Sequence, residues 1–94
     1  MRIEPPSAEG TAAGHPVHGY VRDRQASVVA MVRQALEEAA ARGELRPGVD
    51  CAVTARMLVA LVDGLQVQWL LHPDQADIAG DLRRCLQPLL TVDL

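Results

Sequence analysis

Few side chains in this 94-residue chain have the type and spacing that chemistry demands. His15 and His18 lie three apart and could share one helical face, as two metal ligands would. A zinc site takes at least three protein ligands, however, and no third is in view. His18 therefore reads as an exposed helix-start residue, and neither a metal nor a cofactor is assigned. Cys51 and Cys85 are the only cysteines. They make no disulfide scaffold, no CxxC or Cys/His cluster suggests zinc, and no adjacent cationic group would favour a reactive thiolate. No Ser/His/Asp or Cys/His arrangement has a structural context, and no glycine-rich phosphate loop follows a strand. With the acidic residues mostly on solvent faces, the chain is not expected to be an enzyme.

Thr54 and Gln68 are more suggestive, because they fall inside an otherwise apolar stretch. They could be polar handles in a pocket, where a few placed polar groups orient a ligand between apolar walls. The competing reading, which the burial argument favours, is that they bond across a subunit seam or to backbone. Trp69 reads as a core residue. Arg56 and Asp63, two turns apart, read as solvated surface.

Composition narrows the remaining classes. The formal net charge of −3, with nine arginines and no lysine, argues against a stand-alone nucleic-acid binder. With no Phe, one Trp and one Tyr, stacking platforms for single strands are lacking too. The start "MRIEPPSAEGTAAGHP" has no apolar core of a signal peptide, and no apolar run approaches the ~18 residues of a membrane span. The expected setting is cytoplasmic, without a membrane partner. A chain of this length is one domain, marginally stable alone, and a partner subunit is the expected stabiliser.

The elements that would position these residues are helices. Residues 1–15 read as a flexible lead-in and 16–94 as the domain. A helix is expected over about 17–42, with Pro16 at its first position. Val21, Val28, Val32, Ala35 and Ala39 form its apolar stripe, Val29 and Leu36 its edge. Glu38 and Arg42 make an i,i+4 pair, and Gly43 takes the C′ position. "GELRPGVD" is a connector in which Pro47 and Gly48 turn the chain and Asp50 caps the next helix, expected over 51–71. That helix, which includes "DGLQVQWLL", is apolar over about 240° of its circumference, far beyond the ~100° stripe of a helix with one buried face. One row is Val53, Met57, Ala60, Gly64, Val67 and Leu71; the other is Leu58, Leu61, Val62, Leu65 and Trp69. Its narrow polar arc holds Arg56, Asp63 and Gln66, with Val59 and Leu70 mixed in.

The last helix, about 77–90 and capped by Asp74 or Asp77, carries Ile78, Leu82, Cys85, Leu86 and Leu89 on one stripe. Pro88 should end or kink it near Gln87. No strands and no internal repeat are expected. Three such helices cannot cover one another, and an apolar patch left over marks an interaction surface. Two copies pairing their second and third helices into a four-helix bundle would bury it, with Gly64 and Ala60 permitting close approach.

The stretch "HPVHGYVRDRQASVVAMVRQALEEAAARGELRPGVDCAVTARMLVALVDGLQVQWLLHPDQADIAGDLRRCLQPLL" closely resembles the C-terminal half of TetR-family transcriptional regulators. The carrying pieces are "ARGELRPGVD", "ARMLVALVDGLQVQWLLHPD" and "IAGDLRRCLQPLL", in that order and spacing; "SAEG" at 7–10 resembles the tail of the preceding helix. The resemblance implies an all-α fold, here a three-helix fragment pairing into a four-helix-bundle homodimer. It also implies a small-molecule effector whose binding releases DNA from N-terminal helix-turn-helix domains, which are absent from this chain. No DNA contact is then expected of the chain alone.

On that footing Ala60, Gly64, Val67, Leu71, Ile78, Leu82, Cys85, Leu86 and Leu89 are the expected dimer interface. The first helix forms the outer wall of the effector pocket against the first row of the middle helix. Val28, Met31, Val32, Thr54, Met57, Leu61 and Gln68 are the ligand-binding candidates. The alternative is a stand-alone helical interaction protein with no ligand, even a truncated remnant that pairs with a full-length regulator.

Overall fold

The computed structural model describes residues 17–94, so the lead-in, "SAEG", His15 and Pro16 lie outside the described residues. Three α-helices follow one another: α1 (His18–Ala41), α2 (Cys51–Leu71) and α3 (Ile78–Leu86), the last running into a 3-10 turn, Gln87–Leu89. The fold is all-α, as the periodicity requires.

Local chemistry sets the boundaries. Gly43 adopts φ 75° just past the end of α1, a conformation that other residues reach only with strain. Gly48 does the same at φ 87° in the connector. The Asp50 side chain accepts from the Val53 N–H at 3.0 Å and so caps α2. Of the two expected caps for α3, Asp77 is the one used, accepting from the Gly80 N–H at 3.0 Å. The α-helical part of the last element stops at Leu86, short of the expected 90, because Pro88 has no N–H to continue the ladder.

The main buried cluster is small and lies at one end, with Val59 and Leu65 of α2 buried outside it. Leu36, Leu45, Ala55 and Leu90 form a buried cluster, with Val29, Val32, Ala39, Val49, Cys51, Leu58 and Leu86 packed around it. A backbone clasp closes this end. Leu45 and Leu90 form an isolated antiparallel bridge. The Arg46 N–H donates to the Leu89 carbonyl, and the Thr91 N–H to the Glu44 carbonyl, both at 2.8 Å. The Thr91 hydroxyl adds a bond to the Gly43 carbonyl at 2.6 Å. Gln87 holds the end of the chain from both sides, donating to the Val92 carbonyl at 2.8 Å and accepting from the Leu94 N–H at 2.9 Å.

Several sequence expectations give way here. Leu36, placed at the edge of the α1 stripe, is its most buried residue, whereas Ala35 is exposed. The cause is that Leu36 meets the connector and the tail (Leu45 and Leu90) and not only another helix. Val59, grouped with the polar arc of α2, is buried at 6% exposure, while Trp69, read as core, is 48% exposed. Arg42 bonds Glu44 at 2.7 Å instead of pairing with Glu38, since the turn after Gly43 brings Glu44 back to the helix end. That bond raises the affinity of the guanidinium for its proton and holds the Glu44 carboxyl below its ordinary range. The i,i+4 pair that does form on α1 is Arg33–Glu37, at 2.8 Å.

The first row of α2 does not face α1. Val53, Met57, Ala60, Gly64, Val67 and Leu71 are all exposed in the single chain. What α1 covers is the side carrying Ala55, Leu58, Val59 and Val62, an i, i+3, i+4, i+7 stripe that joins the core and the grooves beside it. The radius of gyration of 15.5 Å, against ~12 Å for a compact chain of this length, fits a helix left open on one side. By length and composition α2 is also apolar enough to cross a membrane, against the expectation drawn from uninterrupted runs, because only Arg56 and Asp63 are charged within it. A helix covered by protein on two sides has the same composition, so this feature carries no membrane assignment.

Candidate functional site

Two concave surfaces flank α2, and they divide the candidate residues differently from the sequence pattern. The first lies among all three helices. Val28 and Val32 of α1, Leu58, Val59 and Val62 of α2, and Leu82 and Leu86 of α3 wall a groove of about 220 Å³ with Asp63 at its margin. It continues between α1 and α2 into a more polar recess of about 300 Å³, where Tyr20, Arg24, Gln25 and Gln66 join Val21, Val28, Val59, Val62 and Asp63. Across it the Gln25 side-chain amide donates to the Asp63 carboxylate at 3.4 Å.

The second surface is on the adjoining side of α2. Thr54, Met57, Leu58, Ala60 and Leu61 face Cys85 of α3 and Leu89 of the 3-10 turn across an open concavity of about 650 Å³. Met57 at its centre is 65% exposed. An open apolar face of this extent is the mark of a surface that another body covers. Cys85 lies free and exposed at its edge, and Cys51 is a free thiol packed at the core, so the two are not paired.

Of the seven ligand-binding candidates, then, only Val28 and Val32 share the inner groove. Thr54, Met57 and Leu61 stand on the adjoining side of α2, across Leu58, beside Ala60, Cys85 and Leu89, which the sequence pattern places in the dimer interface. Met31, 66% exposed, lines neither surface, and Gln68 is exposed beyond both. Of the remaining interface candidates, Gly64, Val67 and Leu71 continue the exposed row along α2. Leu82 and Leu86 turn into the inner groove, and Ile78 is half-buried at the start of α3. The α2 residues of the groove that pattern reading leaves out of the ligand-binding set are Leu58, Val59, Val62 and Asp63. Val59 and Val62 stand four and seven positions after Ala55, a spacing that could have flagged one continuous face.

Among the described residues no group of three or more His, Cys, Asp or Glu is placed to hold a metal ion. The described residues thus form three helices with a groove between them and an exposed apolar row along α2. Residues 15–90 match the family described as "BetI-type transcriptional repressor, C-terminal", and the chain belongs to this C-terminal domain family of TetR-type regulators.

Two curated relatives, both from Pseudomonas putida, share 42% identity with the chain over 50 residues. They are the "HTH-type transcriptional regulator TtgR" and the "Probable HTH-type transcriptional regulator ArpR". Each alignment covers 53% of this chain and 24% of the relative, so the chain spans about a quarter of the length of the curated relatives it matches. No solved structure matches the chain.

Proposed function

We propose that this chain is the effector-sensing and dimerisation portion of a TetR-type repressor, in which DNA is contacted by a helix-turn-helix that is not among these residues. In this reading two copies pair through α2 and the last helix, and the groove between α1 and α2 takes a small molecule whose binding alters the spacing of the DNA-binding parts. The relatives' names carry the transcriptional role. The observation that carries the pairing is the exposed first row of α2. From Val53 to Leu71 it presents apolar or small side chains at every turn over roughly 27 Å, at 1.5 Å per residue. The concavity at Met57, Cys85 and Leu89 continues it onto the last helix. A second copy related by a two-fold axis would cover both at once.

Gly64 provides the test. A Cβ there would meet nothing within 4 Å in the single chain and the position is exposed, so Gly64→Leu is expected to leave the protomer's own packing intact. At a close helix crossing it would overpack the seam by ~1–3 kcal/mol. Sedimentation equilibrium should give a dimer for the native chain. Gly64→Leu should raise the dimer dissociation constant by roughly tenfold or more at unchanged helix content. A variant that dimerises as tightly as the native chain places the seam elsewhere.

A further inference from the structure

The groove among the three helices and the recess beside it share Val28, Val59, Val62 and Asp63, so they are two parts of one channel. The inner part is walled by aliphatic side chains, with Asp63 the one ionisable residue on it. The outer part is where Tyr20, Arg24, Gln25 and Gln66 appear. Asp63 therefore stands at the junction, the first charge met by a molecule whose apolar body lies in the inner part.

We propose that this channel binds small alkylamines, with the aliphatic body among Val28, Val32 and Leu86 and the ammonium group on the Asp63 carboxylate. The inference rests on the effector-binding half of the proposed function and gives that effector a chemical class. Asp63 accepts a long hydrogen bond, 3.4 Å, from Gln25. A carboxylate has about four lone-pair sites, so capacity remains for the donors of an ammonium group. Charge-assisted bonds of this kind are stronger than neutral ones, and because Asp63 is exposed at the margin of the groove, solvent screens part of that gain. The opposite polarity is disfavoured by position. Arg24 lines only the outer part, and an anionic head leaving the inner groove would meet Asp63 before reaching it. Among the described residues Arg24 makes no ion pair with Asp63 that would cancel its charge.

The test uses the full chain and three probes of one body and different heads: n-hexylamine, 1-hexanol and hexanoate. Each is titrated at neutral pH and fixed ionic strength, and binding is followed by perturbation of the Val28, Val59 and Val62 backbone amides. Hexylamine should bind about threefold more tightly than hexanol, with hexanoate weakest. Asp63→Asn should bring hexylamine down to the level of hexanol and leave hexanol where it was. Hexanoate binding tightest, with that binding lost in Arg24→Gln, would overturn the polarity. Hexylamine affinity unmoved by Asp63→Asn would overturn the role of Asp63 while leaving an apolar effector site standing. If none of the probes perturbs the channel, the effector reading falls with the proposal. The dimer is decided separately by the mass of the Gly64→Leu variant.

Discussion

The two ends of α2 are both rich in apolar residues but have opposite surroundings. At its N-terminal end Cys51, Ala55 and Leu58 pack against Leu36, Leu45 and Leu90, and three backbone or hydroxyl bonds tie the tail to the α1–α2 connector. At its C-terminal end Val67, Trp69, Leu70 and Leu71 stand between 47% and 72% exposed. Four large apolar residues in five positions form the kind of exposed patch that marks an interaction surface, whereas the clasped end is covered within the chain. The contrast teaches that hydrophobicity alone does not locate a core. The core forms where the connector and the tail return to the helices, because those segments supply the second and third sides that a helix pair lacks.

Truncating one leucine at each end would break this comparison most directly. Leu90→Ala removes a side chain that is 7% exposed, in contact with the Leu36–Leu45–Ala55 cluster. Large-to-small changes of this kind cost ~2–5 kcal/mol, a large share of what a small domain has. Leu70→Ala, at a site 72% exposed, should change the stability of the protomer by less than ~0.5 kcal/mol. Urea denaturation of both variants at low protein concentration checks the pair. Equal losses at the two ends would mean that the C-terminal end of α2 is covered within the chain itself.

A smaller effect is expected from the clasp. Thr91→Val keeps the shape and the backbone bond to Glu44 but deletes the hydroxyl that donates to the Gly43 carbonyl. The expected loss is about 0.5–1.5 kcal/mol, the net value of one hydrogen bond. Hydrogen exchange should show it locally, with the Arg46 and Thr91 amides losing protection before those in the middle of α2. Faster exchange spread evenly over the chain would instead make the clasp part of the global core.

How much of this could be read from the sequence follows the range of the forces. Gly43, Asp50, Asp77 and Pro88 act on backbone groups within a few residues, and each does in the structure what its type and position imply. The Leu45–Leu90 bridge joins residues 45 positions apart with no periodic signal in either segment, so nothing local announces it. The same bridge is why Leu36, and not Ala35, is buried. Val59 is obscured by its neighbours. Arg56 and Asp63, one turn on either side of it, make that flank of α2 look solvated, yet α1 lies over it. The inner groove is half legible: Val28 and Val32 come from the α1 stripe. Asp63 is exposed, as its place on the polar arc of α2 implies, but its position at the margin of the groove depends on where α1 and α3 lie and is not written in α2 itself.

The smallest effect, and the one that sharpens the clasp most finely, is its response to acid. Arg42 bonds Glu44 at 2.7 Å, and this holds the Glu44 carboxyl below its ordinary range. A carboxyl whose folded value is depressed contributes stability that is present above its unfolded value. That contribution is lost as pH falls through the lower folded value. The contribution is therefore complete above about pH 5 and should fade as the solution is taken below the ordinary glutamate value of about 4.3. Arg42→Gln removes the cause. The stability difference between the native chain and this variant should be constant from pH 7 to about pH 5 and shrink below pH 4. It should also shrink in high salt, because both side chains are on the surface. A difference that grows as the pH falls would mean that Arg42 supports the clasp through its aliphatic stem and not through Glu44.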